Sequence, residues 1–284
     1  MENKENKILI PLDFSEHSLA GLEESYKYAR FSNSEIVLLH ILSESNNSGL
    51  FSKKEQEDYY EKVKNKFDEF VALVAKNTGL KVSYMLEYGK LVETILDVSE
   101  RIKAKLIVVG TTKSINIMQK IVGSNALRLI REAKCPVITL KSKTPREKCE
   151  NIIVPLDLTK ETGQKVAIAV QIAQHFGGKI YAVAAMTTAV EYDVDKMYNK
   201  LQQVRKFVND HNVDCETQFI KVNGGNDKIA TQLLNYAKKV NGDLFMIMTQ
   251  QEAEFVEFFI GSLAKQIIHS SEIPVMSIIP KSKR

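Results

Sequence analysis

The chain has only three cysteines in 284 residues, Cys135, Cys149 and Cys215, and no two of them share a CxxC spacing. So sparse and odd a set builds neither a disulfide framework nor a structural zinc site. The five histidines, His17, His40, His175, His211 and His269, show no metal-ligand spacing, so no structural metal is expected. A GxSxG nucleophile elbow is absent, as is the GxxxxGK[ST] phosphate loop, which removes two common enzyme readings. No apolar run approaches membrane-spanning length, and the opening MENKENK has no apolar signal core. A cytoplasmic protein without a membrane partner is therefore expected. Charge of one sign is lacking too: 39 basic and 35 acidic residues are interleaved and leave a net charge of +4. That excess forms no basic stripe, so nucleic acid is not an expected partner.

What is present is a repeat. KILIPLDFSEHS near the start returns as NIIVPLDLTKET from Asn151, and IVGSNALRLIREAKCPVITL returns as FIGSLAKQIIHSSEIPVMSI. Asp13 and Asp157 lie 144 positions apart, Gly123 and Gly261 only 138, so the second copy is shorter by a net six between these landmarks. The polar, proline-bearing stretch KSKTPREKCE joins the copies. This places one domain at 1–143, a linker at 144–150 and a second domain at 151–284, as the chain length also favours.

Each copy alternates short β-branched runs with helical patterns. KILIPL, EIVLLHI, KVSYMLEY, KLIVVG and PVITL read as strands covered on both faces; IIVPL, KIYAVAAM, CETQFIK, DLFMIM and PVMSII are their counterparts. Helices are expected at 18–31, 54–76, 91–103 and 124–134 in the first copy, with Ser15 or Ser18 capping the first. In the second of these, Tyr60, Val63, Phe67, Phe70 and Val74 form a core stripe. The fold class is α/β: two tandem, doubly wound, Rossmann-like parallel sheets of five strands each. Such sheets bind ligands where the strand order reverses, so Asp13 and the loop after Gly110 would share one crevice if their strands are neighbours.

That loop, GTTKSINIMQKIVGSNA, is either a phosphate cradle or a long strand-to-helix turn. Gly110 lacks a Cβ and would let backbone lie against a sugar or phosphate. Gly123 and Ser124 would present free amides at a helix start, where an anion is favoured, with Asn125 adding an amide. His40 reads as a half-buried core histidine, Cys135 before Pro136 as an inert packing thiol, and Gly89 and the NGGND stretch as turns.

Together, PLD after the first strand, the small residue closing the fourth, the Gly-Ser helix start and the C-P-V strand resemble the universal stress protein family in tandem form. The resemblance runs through both halves. It implies ATP or a related adenine nucleotide as ligand, with Mg2+ an optional companion, and pairing of the halves through PVITL and PVMSII as an intrachain pseudo-dimer. Pro11, Leu12, Asp13 and the backbone near Ile41 would frame adenine and ribose. Gly110, Thr111, Lys113, Gly123, Ser124 and Asn125 would hold the phosphates. Gly110, Gly123 and Ser124 fall on the family's glycine pattern, but Lys113 stands where it has a second glycine. A lysine there is strained by about 1–3 kcal/mol if φ is positive, or else supplies a charge-assisted donor.

In the second half only Asp157, Gly261 and Ser262 remain of the pattern. Met248 takes the first glycine's place and would push a side chain towards the ribose, and Gln251 takes the second's. The implied role is a regulatory, stress-response one. No general base stands beside the loop, so no catalytic residue is assigned; slow ATP hydrolysis occurs in some family members. The alternative is a nucleotide-free interaction module with both loops degenerate. A homodimer of the chain and a protein partner are compatible with either.

Overall fold

The computed structural model describes residues 6–42, 53–111, 124–141, 148–157, 162–187, 194–223, 226–249 and 261–280. In the first half, β1 (Asn6–Pro11), α1 (Glu16–Ser32), β2 (Ser34–Leu42), α2 (Lys53–Thr78) and β3 (Val82–Tyr88) are followed by α3 (Leu91–Arg101), β4 (Leu106–Gly110), α4 (Ser124–Glu132) and β5 (Val137–Leu140). The second half repeats that order. It runs through β6 (Asn151–Leu156), α5 (Thr162–Phe176), β7 (Lys179–Thr187), α6 (Val194–Asp210), β8 (Cys215–Val222), α7 (Asn226–Lys239), β9 (Leu244–Met248), α8 (Ser262–Ser270) and β10 (Val275–Ile278).

The strands stand in the order β3-β2-β1-β4-β5-β10-β9-β6-β7-β8. Every pairing within a half is parallel, whereas β5 and β10 pair antiparallel, Ile138 opposite Met276. Two doubly wound sheets are thereby joined into one of ten strands. Pairing also covers the inner edges that would otherwise recruit other chains.

Strand alternation divides the apolar residues between two faces. Ile8, Ile10, Ile36, Leu38 and Val108 face α1 and α2, and their counterparts face α5 and α6, in one continuous core. Leu9, Val37, Leu39 and Ile107 face α3 and α4, and the second half places α7 and α8 on that same side. The halves also meet through helices: Phe31 of α1 packs on His175 and Phe176 of α5, with ring centroids 4.7 and 6.2 Å apart. Of the expected stripe on α2, Phe67 and Val74 are buried, while Tyr60, Val63 and Phe70 are half-buried.

Helix ends have local causes. Ser15, not Ser18, caps α1: its backbone is extended and its hydroxyl accepts from the Ser18 amide. The third helix stops at Arg101, two residues before the expected end, because Lys103 turns left-handed (φ 55°) and the Ala104 amide donates back to Ser99 O. The fourth stops at Glu132 rather than Lys134. Its chain runs into Cys135, whose helical backbone is disfavoured by Pro136.

Candidate functional site

Strands β1 and β4 are neighbours, but their register covers only Ile8–Leu106 and Leu9–Ile107. Beyond these pairs lies the point where the strand order reverses, and there a cavity of about 300 Å3 opens on the α3/α4 side. That volume is at the lower end of the range for small-molecule sites. The cavity's apolar wall comes from Leu39 and Ile41 of β2, Leu91, Val92 and Ile95 of α3, Val109 of β4, and Ala126 and Leu129 of α4. Its polar lining comes from Asp13, Ser15, His17 and Ser18 at the start of α1 and His40 of β2, with Thr111 and Asn125 across the opening.

The α1 rim is tightly organised. Asp13 Oδ1 accepts from the Ser15 amide at 2.9 Å, and the Asp13 amide donates to Ser18 Oγ at 3.3 Å. Burial would raise the Asp13 carboxyl, but the Ser15 and Ser18 hydroxyls and the Ser15 amide outweigh it and hold the group below its ordinary value. Asp13 is therefore an ionised, acceptor-only group at neutral pH. Phe14, next in the chain, has φ 63°, a left-handed backbone that a bulky residue adopts only under constraint. The constraint is visible: its ring packs edge-on against Phe67 (4.9 Å) and Phe70 (5.2 Å) of α2, with the Lys66 ammonium 3.7 Å from its centroid. His40 Nδ1 donates to Leu12 O at 2.8 Å, which fixes that nitrogen as the protonated one.

Of the expected site residues, Pro11, Leu12, Asp13, Ile41, Gly110, Thr111 and Asn125 line this single cavity. Ser124 is exposed at the first position of α4, beside Asn125. Lys113 and Gly123 lie outside the described residues, as do Gln251 and the two glycines of NGGND. The Thr111 hydroxyl turns to Leu140 O at 3.2 Å. Ser15, His17, Ser18 and the α3 residues were not singled out as site residues from sequence. The two serines read only as helix caps, and Leu91, Val92 and Ile95 only as a core-facing helix stripe.

Two expectations are corrected. Gly110 does not lack its Cβ for a ligand's sake: a Cβ there would stand 1.7 Å from the His17 carbonyl oxygen. The glycine lets α1 sit against β4, on the side away from α3 and α4. Met248, at the same place in the second half, consequently points to that side as well. It is buried with Val166 and Ile172 of α5, not in a position to obstruct a sugar on the opposite face.

The second half assembles differently. Asp157 Oδ1 accepts from the Thr162 hydroxyl at 2.7 Å, and Gly261 opens α8 ahead of an exposed Ser262 without a side-chain cap. Beneath them Lys165 is 2% exposed and donates from Nζ to Pro155 O. Burial pushes its ammonium below the ordinary lysine value, against the pull of Asp157.

The universal stress protein family model matches residues 5–141 and again 148–278, which decides the family. The chain belongs to the universal stress protein family. A universal stress protein of Methanocaldococcus jannaschii, MJ0531, is 31% identical over 143 residues, covering 49% of this chain and 84% of the relative. A second from the same organism, MJ0577, is 26% identical over 154 residues, covering 48% of this chain and 95% of its own. Among solved structures, a universal stress protein from Archaeoglobus fulgidus matches with a TM-score of 0.77 at 17% identity, covering 99% of this chain and 100% of that one. One described as a universal stress protein from Pseudomonas aeruginosa reaches 0.66 at 18%, covering 97% and 93%. The tandem architecture is thus found along whole chains. Among the described residues no helix is long and apolar enough to cross a membrane.

Proposed function

We propose that the first half binds an adenine nucleotide, ATP or a close relative, and that occupancy regulates the protein's conformation or assembly in a cytoplasmic stress response. The observation that carries this reading is the make-up of the cavity. A largely apolar cavity between β2, α3 and α4 is edged by the ionised carboxylate of Asp13 on one side and by the first turn of α4 on the other.

An aromatic base gains from burial in such a cavity at about 25 cal/mol per Å2 of apolar surface removed from water. Asp13 accepts hydrogen bonds and repels phosphate, so it suits an adenine amino group or ribose hydroxyls. The α4 N-terminus, with Ser124 and Asn125, has the polarity for the phosphates. Magnesium would arrive with them rather than at a protein cage of its own.

The test is to denature purified protein and look for released adenine nucleotide, then to titrate ATP with Mg2+ while following the melting temperature. At one hundred times Kd, linkage gives about 2.7 kcal/mol, an upward shift of roughly 5–10 °C for a chain of this size. Absence of both released nucleotide and shift at millimolar ATP would leave the interaction-module reading in its place. Phosphate release in the same samples reports any slow hydrolysis.

A further inference from the structure

The two halves differ at a pair of positions that nothing in the family pattern singles out together. Counting from Pro11 and Pro155, the residue matching Gly21 of α1 is Lys165 of α5; counting back from Gly123 and Gly261, the residue matching Gly110 is Met248. In the first half these two glycines are in contact. A Cβ on Gly21 would lie 3.0 Å from the Gly110 amide nitrogen, and one on Gly110 would lie inside the α1 backbone. No side chain fits between them. In the second half both positions carry long side chains, and both are buried.

The Lys165 chain has a definite destination. Just past β1 the Leu12 amide donates to Leu39 O in β2, so across the same trans peptide the carbonyl of Pro11 faces the opposite way, towards β4. In the matching register Pro155 O faces β9, at the gap beyond the Ile152–Leu244 and Ile153–Phe245 pairs. The ammonium of Lys165 donates to that oxygen, within the field of Asp157. Pro11 and Asp13, the counterparts of these two groups, both line the first-half cavity.

We propose that Lys165 is a resident cation that closes the second crevice from within, so that the chain takes up one nucleotide, in its first half. The adenine amino group and ribose hydroxyls need an acceptor at this position. In the second half the acceptors, the Asp157 carboxylate and the Pro155 carbonyl, already face a buried ammonium. A ligand would have to displace a tethered donor of the same kind. The inference rests on the nucleotide reading for the first half only, and the duplicated sheet makes the two crevices separable by mutation.

The experiment uses the full chain. Equilibrium dialysis with ATP and Mg2+ is expected to give one nucleotide per chain, lost in Asp13→Lys, which puts a cation at the first half's acceptor. Two per wild-type chain, or one that survives Asp13→Lys in a cooperatively folded protein, would overturn the proposal. Lys165→Gly with Met248→Gly, which restores the glycine pair of the first half and removes the cation, is expected to admit adenosine to the second half at millimolar concentration, detected by saturation-transfer NMR in an Asp13→Lys background. In single Lys165→Gly, propylammonium at ten times its Kd should restore the missing cation and raise the melting temperature by about 2–4 °C, with no such effect on wild type. Failure of either gain in a cooperatively folded variant overturns the proposal. A wild-type chain that binds no nucleotide, while both gains appear, removes the first-half reading and leaves Lys165 as assigned.

Discussion

Replacing Gly110 by alanine tests whether the cavity rim at the start of α1 is seated directly on β4. The added Cβ would stand 1.7 Å from His17 O, 2.3 Å from His17 C and 3.0 Å from the Ser18 amide nitrogen. All three are backbone atoms, so no side-chain rotation relieves the contact. Bringing the closest of them to a bare 3.0 Å moves the first turn of α1 by about 1.3 Å. That turn carries Ser15 and Ser18, whose groups hold Asp13 in place. Overpacking of this kind destabilises by about 1–3 kcal/mol, and a rigid backbone partner favours the upper end. The expected loss in melting temperature is roughly 5–10 °C. On the proposed function, nucleotide affinity is expected to fall as well, because a charge-assisted hydrogen bond from the ligand to Asp13, of about 1.5–3 kcal/mol, would be misaligned, or roughly 10–100-fold in Kd. Scanning fluorimetry and calorimetric titration read the two effects. Gly21→Ala is the graded control: its Cβ comes no closer than 3.0 Å, to the Gly110 nitrogen, and meets Gly110 Cα and Val109 C at an ordinary 3.7 Å, so a smaller change in both readouts is expected. A Gly110→Ala protein with wild-type melting and wild-type affinity would refute the claim that glycine there seats α1.

At Phe14 the usual order of substitutions should invert: Phe14→Gly should be less destabilising than Phe14→Ala, because glycine takes φ 63° without strain of about 1–3 kcal/mol. Urea unfolding of the two variants decides it, and an alanine variant at least as stable as the glycine one counts against a strained turn. For Lys165 the folded-state value lies below 10.5, so the unfolded chain binds more protons between the two values and stability rises with pH across that window. Urea titrations from neutral pH to about 10 should show this slope for wild type relative to Lys165→Met, and equal slopes would dismiss a depressed lysine. Burial raises the thiols of Cys135 to about 12 and Cys215 to about 11, and raises Cys149 too. A disulfide reagent at pH 8 should therefore label them only as the protein unfolds; rapid labelling of the native chain would show an accessible thiolate.

The sheet was readable because parallel strands covered on both faces leave continuous apolar runs, and because the duplication exposes each run twice. The switch point followed from topology: once β1 and β4 are neighbours, Asp13 and Gly110 share an end of the sheet. Other features depend on which face a side chain takes, and that is not written locally. Gly110 looks identical in sequence whether its missing Cβ faces a ligand or a helix. Only the alternation of Leu106 and Val108 towards α1, with Ile107 towards α4, shows which face it is. Leu91, Val92 and Ile95 carry the ordinary pattern of a buried helix stripe, and their second place as a cavity wall appears only when α3 and α4 are seen to leave space between them. Phe14 conceals its strain for a related reason: nothing in PLDFS announces a left-handed residue, since the rings that restrain it come from α2, more than fifty positions away.

Lys165 sits in GQKVAIAV, where a lysine among small residues would pass for the solvated side of an amphipathic helix. Its burial becomes intelligible through the position it shares with Gly21. In the first half two glycines bring α1 and β4 into backbone contact, which leaves nowhere for a side chain and places the Ser15–Ser18 turn beside the switch point. Once a duplicate carries Met248 instead of glycine, the helix can no longer lie on the strand, and the wider gap must be filled to avoid a void. The Met248 thioether fills the apolar part. The far end, beside Pro155 O and Asp157, is lined by acceptors and calls for a donor, and a lysine entering along the helix supplies one without opening the gap to water. The same pair of substitutions therefore accounts for both the buried charge and the lost glycine, and it ties the two changes physically. Reverting either alone leaves a misfit, whereas reverting both returns the arrangement in which Gly21 meets Gly110. The double variant should accordingly be more stable than the sum of its single variants predicts, by a coupling of about 0.5–3 kcal/mol. Strict additivity in a urea-unfolding cycle would mean that the two positions changed independently.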